Sequence, residues 1–363
     1  MIVHKEMRNT MKDFEIGIYT LGDYVTNAET GNIVSEQQRI EDIISYAKLA
    51  DEVNLDVIAL GESHQEHFIS QAHALILAAI ARETKNIRVS SSATIVSTSD
   101  PVRIYENFST LDILSNGRAE IVGGRASRIG LFSLLGFDVA DYTELFEEKF
   151  ELLLKLNKEE IINWQGHFRP ALKDAVLYPK PLQDSLPIWR AVGGPAESAR
   201  KAGIQGVPMM LATLAGPVTH FNRTVDSYRT TFKQYHQDLS NMRVGITNMM
   251  HVADTDELAY NRFYKYMNHS FKQANGHGLN PEVYSTALDL RNAVLIGSAE
   301  TIIEKIVYQY EVYGHTRQML QIDIGGLEAD EVRKQIEVIG NVIAPEVRRR
   351  IAALGDNNED SSN

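Results

Sequence analysis

The chain has 363 residues, of which 44% are hydrophobic, and a formal net charge of -12. This acidic balance disfavours nucleic acid as the main partner. The absence of cysteine excludes disulfides, thiolate nucleophiles and cysteine-ligated metals. No apolar run approaches the ~20 residues that span a bilayer, and the N-terminus lacks the apolar core of a secretory signal. We therefore expect a cytoplasmic protein without a membrane partner.

Strand and helix signals alternate along the chain. Short apolar runs bounded by turn residues predict strands, and apolar residues at helical spacing predict helices. The predicted strands cover residues 14–20, 56–60, 87–96, 118–122, 188–192, 207–212, 244–253 and 319–324. The predicted helices cover residues 35–50, 72–82, 100–116, 142–164, 195–203, 217–239, 255–273, 298–313 and 329–353, the last interrupted near Pro345.

This alternation of about eight strands with helices predicts an α/β fold, a (β/α)8 TIM barrel with insertions. A doubly wound parallel sheet is the alternative, but the GxGxxG motif that would favour it is absent after the first strand. We expect one domain over residues 1–354, with insertions at about 165–186 and 274–296. Residues 355–363 (GDNNEDSSN) are expected to form a disordered tail.

The stretch from Leu186 to Gly203 predicts an anion site. An apolar strand ends at the pair Gly193–Gly194, and Pro195 is placed to begin a helix. The first amides of that helix would lack intrahelical partners, and the Ser198 hydroxyl would add a donor beside them. The stretch is a candidate cradle for phosphate, although most joins of this kind are only turns.

In a barrel, chemistry is expected on the loops that follow the strands. Arg125 follows two glycines there and suits phosphate binding, and His64 is a candidate proton carrier. Two histidines and two carboxylates within residues 62–67 leave a metal-dependent hydrolase open, although the spacing is not HExxH. The unusual loop residues are Glu62, His64 and His67, residues 94–99, 123–128 and 193–198, Thr213, Gly325 and Gly326.

Four segments resemble the bacterial luciferase-like superfamily of flavin-dependent monooxygenases. They are DVIALGESH (56–64), the block 97–138 with its PVR, NGR and GGR motifs, the run 186–212, and ADTDELA (253–259). The resemblance extends from about residue 14 to residue 343. It implies the barrel fold and a flavin site at the barrel mouth.

The resemblance also implies where FMN would bind. Arg125 matches the basic residue beside the flavin phosphate, and the Glu197 N–H with Ser198 matches the phosphate loop. A nonprolyl cis peptide accompanies the ring-binding residues of the third strand in the family. The implied cofactor-binding residues are Ser92, Ala93, Thr94, Gly123, Gly124, Arg125, Val192, Gly193, Gly194, Glu197 and Ser198.

The catalytic assignment is less direct. The family motif Glu-His-His reads Glu62-Ser63-His64 here, so serine replaces the first histidine. The resemblance implies Glu62, Ser63 and His64 as catalytic residues, with His64 taking over the acid–base role or the chemistry proceeding differently. Light emission is not expected.

The implied activity is that of an FMN-dependent monooxygenase, which uses reduced flavin and O₂ to oxygenate a small organic substrate. A separate flavin reductase, a homo-oligomer (a homodimer), and covers formed by residues 165–186 and 274–296 are further expectations, with no metal. A deazaflavin (F420)-dependent oxidoreductase and a non-catalytic flavin-binding protein are the alternatives. Absorbance spectra separate these possibilities.

Overall fold

The computed structural model of the chain describes residues 14–126 and 130–360. Part of the predicted loop 123–128 and the end of the predicted tail therefore lie outside the described residues. The strands are β1 (Glu15–Thr20), β2 (Val57–Leu60), β3 (Arg88–Ser91), β4 (Thr94–Ile95), β5 (Ala119–Gly124), β6 (Ile162–Trp164), β7 (Leu172–Ala175), β8 (Ile188–Val192), β9 (Met209–Ala212), β10 (Val244–Val252), β11 (Leu295–Gly297) and β12 (Arg317–Gln321).

Eight of these strands close into a parallel barrel within the described chain. The order is β12-β1-β2-β3-β5-β8-β9-β10, and β10 pairs with both β9 and β12 to close the ring. Outside the eight barrel strands, β4 pairs with β5 and β11 pairs with β10. Strand β6 pairs antiparallel with β7. The predicted (β/α)8 barrel is confirmed, and the doubly wound sheet is wrong.

Helices surround the barrel. Asp100 is the N-cap of one of them, and its side chain accepts a hydrogen bond from the Val102 amide at 2.8 Å. The helices are α1 (Glu36–Glu52), α2 (His73–Glu83), α3 (Pro101–Leu114), α4 (Gly130–Leu134), α5 (Tyr142–Lys158), α6 (Ala196–Gln205), α7 (Asn222–Tyr235), α8 (Asp256–Asn275), α9 (Pro281–Ser285), α10 (Ala299–Tyr313), α11 (Ala329–Val338) and α12 (Ala344–Asp360).

Two predicted helices differ from the observed ones. The helix predicted over residues 142–164 ends at Lys158, because the β-branched run that follows pairs as β6 with β7. The last helix is interrupted by a π-helical segment over Ile339–Ile343. It then continues to Asp360, so residues 355–360 extend α12 where the tail was predicted to begin. No proline or second glycine after Gly355 stops the helix there.

The end of the barrel where the strands begin is filled by a buried ion-pair cluster. Arg317 at the start of β12 pairs with Glu120 on β5 and with Glu15 on β1, the latter at 2.7 Å. Its guanidinium lies 4.4 Å from the ring centroid of Trp189. Arg317 and Glu120 are each 1% exposed. This cluster separates the barrel interior from solvent at that end, so chemistry is left to the opposite end.

One buried histidine on β10 makes stability depend on pH. Neither ring nitrogen of His251 has a hydrogen-bond partner among the described residues, and burial lowers its pKa to about 4. A histidine in the unfolded chain has a pKa of about 6.5. The stability that a neutral His251 contributes is therefore present above pH 6.5 and is lost as the pH falls toward 4.

We expect His251→Phe to remove this dependence. Between pH 7 and pH 4 its free energy of unfolding should fall by about 3 kcal/mol less than that of the wild-type protein. Urea unfolding at both pH values measures the difference. His277→Phe is the matched control because His277 is exposed. An equal fall in both variants would contradict the assignment.

Candidate functional site

The predicted phosphate residues meet at the barrel mouth because their strands are neighbours. Strand β5 pairs in parallel with β8, with Gly123 opposite Arg190. The loops that follow the two strands therefore leave the sheet side by side. Arg125 comes from one loop, and residues 193–198 come from the other. The barrel topology thus brings together two motifs that lie about 70 residues apart in the sequence.

The loop after β8 forms a donor-rich cradle. Pro195 is the N-cap of α6, one position before the predicted first helical residue. The Ser198 amide bonds back to the Pro195 carbonyl at 3.1 Å, and its Oγ is buried without a partner among the described residues. A Cβ on Gly193 or Gly194 would meet no atom within 4 Å. The cradle therefore combines open space with an unsatisfied buried hydroxyl.

Glu197 lies in the cradle by its backbone and not by its carboxylate. Its side chain accepts two hydrogen bonds from Arg200, each 2.9 Å long, on the exposed face of α6. This pairing lowers the pKa of Glu197, first through the hydrogen bond and then through the nearby positive charges. The Glu197 N–H remains available at the helix N-terminus, where an anion is stabilised.

Arg125 provides a cation beside this cradle. Its guanidinium lies 5.5 Å from the ring centroid of Tyr142 and 5.7 Å from that of Phe146. No described carboxylate forms an ion pair with it. A half-buried guanidinium held by aromatic rings and lacking an anion is well suited to bind one.

Sequence reasoning missed the residue that holds these rings. Arg190 on β8 is fully buried and forms a double hydrogen bond with Glu147 on α5, at 2.6 and 3.0 Å. Its guanidinium also lies 4.7 Å from the Phe146 ring. Arg190 thus fixes α5, whose Tyr142 and Phe146 rings contact the Arg125 guanidinium. Nothing in the local sequence distinguishes it from a surface arginine, since its partner lies 43 residues away.

The loops after β2, β3, β5 and β8 approach one another closely. The peptide bond between Ser92 and Ala93 is cis, as the family resemblance implies. The Glu62 amide donates to the Ala93 carbonyl at 3.0 Å. A Cβ on Gly124 would lie 2.8 Å from that of Ala93 and 3.1 Å from that of Ala191, so no larger residue fits there. The glycine therefore allows these loops to pack closely together.

Thr94 differs from the two residues before it. Its side chain is buried, and its hydroxyl is hydrogen-bonded to His73 at 2.8 Å. Ser92 and Ala93 are half-buried. Of the three predicted third-strand residues, Ser92 and Ala93 therefore have side chains that are free near the mouth, and Thr94 does not. The Thr94 hydroxyl is already committed to the protein interior.

Glu62 joins two histidines. Its Oε1 accepts a hydrogen bond from His64 Nε2 at 2.7 Å, and its Oε2 lies 3.7 Å from His73 Nδ1. Oε2 also accepts from the Ile95 amide at 2.7 Å, which fixes the carboxylate. Burial lowers the pKa of His73, an effect that the nearby Glu62 only partly opposes. His73 was missed because it reads as one more residue at the start of an apolar helix.

Glu62 and His64 therefore form a hydrogen-bonded carboxylate–histidine pair. Because the carboxylate accepts the Nε2–H of His64, Nδ1 is the ring nitrogen left for another partner. The side chain of His64 is 14% exposed, so it reaches the mouth without being freely solvated. Ser63 is half-buried and its hydroxyl forms no hydrogen bond within the described residues.

A cavity of 410 Å³ occupies the other side of the mouth. It lies at the ends of β1, β9, β10 and β12, and residues 279–294 form one of its walls. In the other insertion, 165–186, Phe168 packs with Ile95 and Ala126 near the mouth, whereas Leu182 and Gln183 donate to Asp112 near the end of α3. The covers predicted over 165–186 and 274–296 stay predictions.

Within residues 14–126 and 130–360, no group of three or more histidine, aspartate or glutamate side chains is arranged to hold a metal ion. Of the helices described, none combines the length and apolarity needed to cross a bilayer.

Comparison with known proteins gives relatives along almost the whole chain. The family model described as luciferase-like monooxygenase matches residues 20–317. The chain is 24% identical over 340 residues to the oxygenase component of the flavin-dependent trigonelline monooxygenase of Acinetobacter baylyi, which covers 86% of this chain and 91% of that protein.

Solved structures share the fold. The monooxygenase RslO1 from Streptomyces bottropensis has a TM-score of 0.78 at 20% identity, with 91% of this chain and 99% of that chain covered. An F420-dependent secondary alcohol dehydrogenase, in complex with an F420-acetone adduct, has a TM-score of 0.69 at 18% identity. That match covers 92% of this chain and 99% of that chain.

Proposed function

The chain belongs to the luciferase-like monooxygenase family, and we propose that it is an FMN-dependent monooxygenase. It acts on paired donors, with O₂ incorporated into a small organic substrate while reduced flavin is oxidised. The observation that carries the proposal is the unsatisfied phosphate cradle. Among the described residues, Ser198 Oγ is buried without a partner and Arg125 has no carboxylate partner, and the first amides of α6 lie at a helix N-terminus, where intrahelical acceptors are lacking.

The residues present fit the phosphate end of FMN. Arg125 supplies a charge-assisted fork of N–H donors, and Ser198 supplies a hydroxyl. The Glu197 N–H adds a backbone donor at the positive end of α6. Gly193 and Gly194 leave open space for the ligand beside these donors. Ala93, Gly124 and Ala191 have no bulky side chain, so a planar ring could lie against their backbone.

The protein's own contribution to the reaction is binding, orientation and proton handling. When bound, the flavin supplies the electrons and the site at which O₂ is activated. His64 moves a proton at Nδ1 while Glu62 holds its other nitrogen. The wall formed by residues 279–294 limits the access of water to the mouth.

Arg125→Ala should weaken FMN binding without weakening riboflavin binding. The lost charge-assisted contact is worth about 1.5–3 kcal/mol, so the Kd for FMN should rise by roughly 10- to 100-fold. Riboflavin lacks the phosphate and should bind as before. Quenching of flavin fluorescence during titration measures both constants.

Arg103→Ala is the matched control, since Arg103 is exposed and pairs with Glu106 on its own helix. It should leave both constants unchanged. Equal losses for FMN and riboflavin in Arg125→Ala would contradict the phosphate assignment. So would an unchanged Kd for FMN.

A deazaflavin (F420)-dependent oxidoreductase is the second candidate, because a neighbour with a TM-score of 0.69 binds that cofactor. Both cofactors carry a phosphate, so the cradle does not separate them. Titration with each cofactor does. Tighter binding of F420, with hydride transfer and no consumption of O₂, would replace the FMN proposal. Binding of FMN without any O₂-dependent product would instead indicate a flavin-binding protein.

We propose two partners by the same reasoning. The trigonelline relative is an oxygenase component, which supports a separate reductase that delivers reduced flavin to this chain. Exposed Leu75 on α2 and exposed Ile113 and Leu114 on α3 support a homodimer. Light scattering of the purified protein, compared with Leu75→Asp, measures the second expectation.

A further inference from the structure

The 410 Å³ cavity lies on the half of the barrel mouth that the proposed flavin site leaves free. The proposed flavin residues follow β3, β5 and β8, whereas the cavity lies at the ends of β1, β9, β10 and β12. In the ring of strands these two sets face each other. The cavity has the size of an ordinary small-molecule site, which is about 300–1,000 Å³.

The walls of the cavity are apolar and well packed. Tyr284 on α9 stacks on Phe263 of α8, with ring centroids 5.8 Å apart and an interplanar angle of 10°. The rings of Tyr260 and Tyr264 also contact the Tyr284 ring, with centroids 4.7 and 4.9 Å from its centroid. These contacts hold the insertion against α8. The wall is therefore a preformed surface, and it presents aromatic and aliphatic side chains.

The residues that line the cavity carry almost no charge. Among the described residues that line the cavity, Asp23 is the one with a charged side chain. Its Oδ2 accepts a hydrogen bond from the Gly325 amide at 3.2 Å. Arg39, whose Nε donates to the Asp23 carbonyl at 2.8 Å, attracts this carboxylate and also pairs with Asp323. Asp23 is thus tied into the protein, and no lysine, arginine or histidine lines the cavity to receive an anion.

Gln321 offers a ligand a buried polar group. Gln321 at the end of β12 lines the cavity, and its Oε1 accepts a hydrogen bond from the Tyr19 hydroxyl at 3.1 Å. Its Nε2 makes no hydrogen bond within the described residues. Two other amides line the cavity: Asn280 accepts from the Glu282 amide, and Asn292 bonds to Thr286 and to the Val294 amide. Ser270 adds a half-buried hydroxyl. The cavity therefore offers a hydrogen-bond donor in an apolar surrounding.

We infer that this cavity binds the substrate, and that the substrate is an uncharged, largely apolar molecule with a hydrogen-bond acceptor that Gln321 receives. The inference rests on the proposed function for the cofactor half of the mouth. An anionic substrate would lose its hydration without meeting a positive charge. An ammonium group would meet a carboxylate that Arg39 already attracts.

Three probes with the same carbon chain test the charge. We expect 2-nonanone to bind roughly 100-fold or more tightly than nonanoate, and more tightly than nonylammonium. Isothermal titration of the full chain, with and without FMN, gives the three constants. Nonanoate or nonylammonium binding as tightly as the ketone would overturn the inference.

A positive charge placed at the rim of the cavity should change the relative affinities of the three probes. Leu214 lines the cavity and is 50% exposed, so Leu214→Lys is tolerated by the fold. It should strengthen nonanoate binding by about tenfold and change 2-nonanone binding little. Leu239→Lys is the matched control, since Leu239 is similarly exposed but does not line the cavity. Equal effects of the two variants would count against the site.

The hydrogen bond to Gln321 has its own test. Gln321→Leu should weaken 2-nonanone binding about fivefold and leave the binding of propylbenzene, which has no such acceptor, unchanged. Tyr19→Phe breaks the same internal bond but keeps the amide, so it should spare the ketone. An equal loss for both probes in Gln321→Leu would overturn the role of the donor.

The design separates this inference from the proposed function. The cavity is formed by the chain alone, so the probes are titrated whether or not a flavin is bound. FMN binding without selectivity for the ketone would overturn the inference and leave the cofactor assignment standing. Selective ketone binding without FMN binding would do the reverse.

Discussion

Replacing His64 by alanine is expected to lower product formation by about 10²- to 10⁴-fold, the range usual for the loss of a general acid or base. Glu62 holds His64 Nε2 at 2.7 Å, so the variant removes a proton carrier that is already oriented. The affinity for FMN should hardly change, because the phosphate cradle follows β5 and β8. Oxidation of reduced flavin should continue, with hydrogen peroxide formed in place of product.

His67→Ala is the matched control within the same loop, since His67 pairs with the exposed Glu66 at 3.2 Å. It should keep nearly full turnover. Product yield per reduced flavin consumed, measured together with peroxide, distinguishes loss of catalysis from loss of binding. Unchanged turnover and unchanged yield in His64→Ala would mean that this loop is scaffold.

Glu120→Ala is expected to lower the free energy of unfolding by about 3–5 kcal/mol, because it leaves Arg317 charged and short of its buried partner. Both side chains are 1% exposed, and Arg317 also contacts Trp189 and Glu15. Water cannot replace the lost carboxylate without opening the closed end of the barrel. Urea unfolding at neutral pH measures the change.

Glu83→Ala tests whether the loss of stability in Glu120→Ala arises because the ion pair is buried. Glu83 also pairs with a cation, Lys48 at 2.8 Å, but both side chains are about half exposed. Its loss should cost less than about 1 kcal/mol. A similar cost for the two variants would contradict the special role of the buried cluster. The active-site mouth lies at the other end of the barrel, so neither variant should change the affinity for FMN.

Local sequence patterns predicted the barrel and the candidate anion-binding residues on one half of its mouth. Strand–helix alternation is a local property, since each apolar run and each cap such as Asp100 is read within a few residues. The same holds for the cradle, where the pair Gly193–Gly194 and Ser198 lie in one short stretch. The motif of Arg125 after two glycines was likewise readable as an anion site before any fold was known.

The parts that the sequence did not predict depend on contacts between distant residues. Arg190 meets Glu147 across 43 positions, and Tyr19 meets Gln321 across 302. Such contacts exist only once the barrel closes and brings β12 beside β1. The helix predicted over 142–164 ends at Lys158 for the same reason, because the residues that follow pair with the distant strand β7.

The sequence by itself thus determined the order of strands and helices and the short motifs predicted to bind an anion, because these are set by neighbouring residues. The tertiary structure alone decided which side chains became buried pairs, that His73 joins Glu62 and Thr94, and that a largely apolar cavity faces the cradle. Burial and ion pairing depend on what closes around a residue. Those surroundings come from segments that are distant in the sequence, so local sequence patterns do not reveal them.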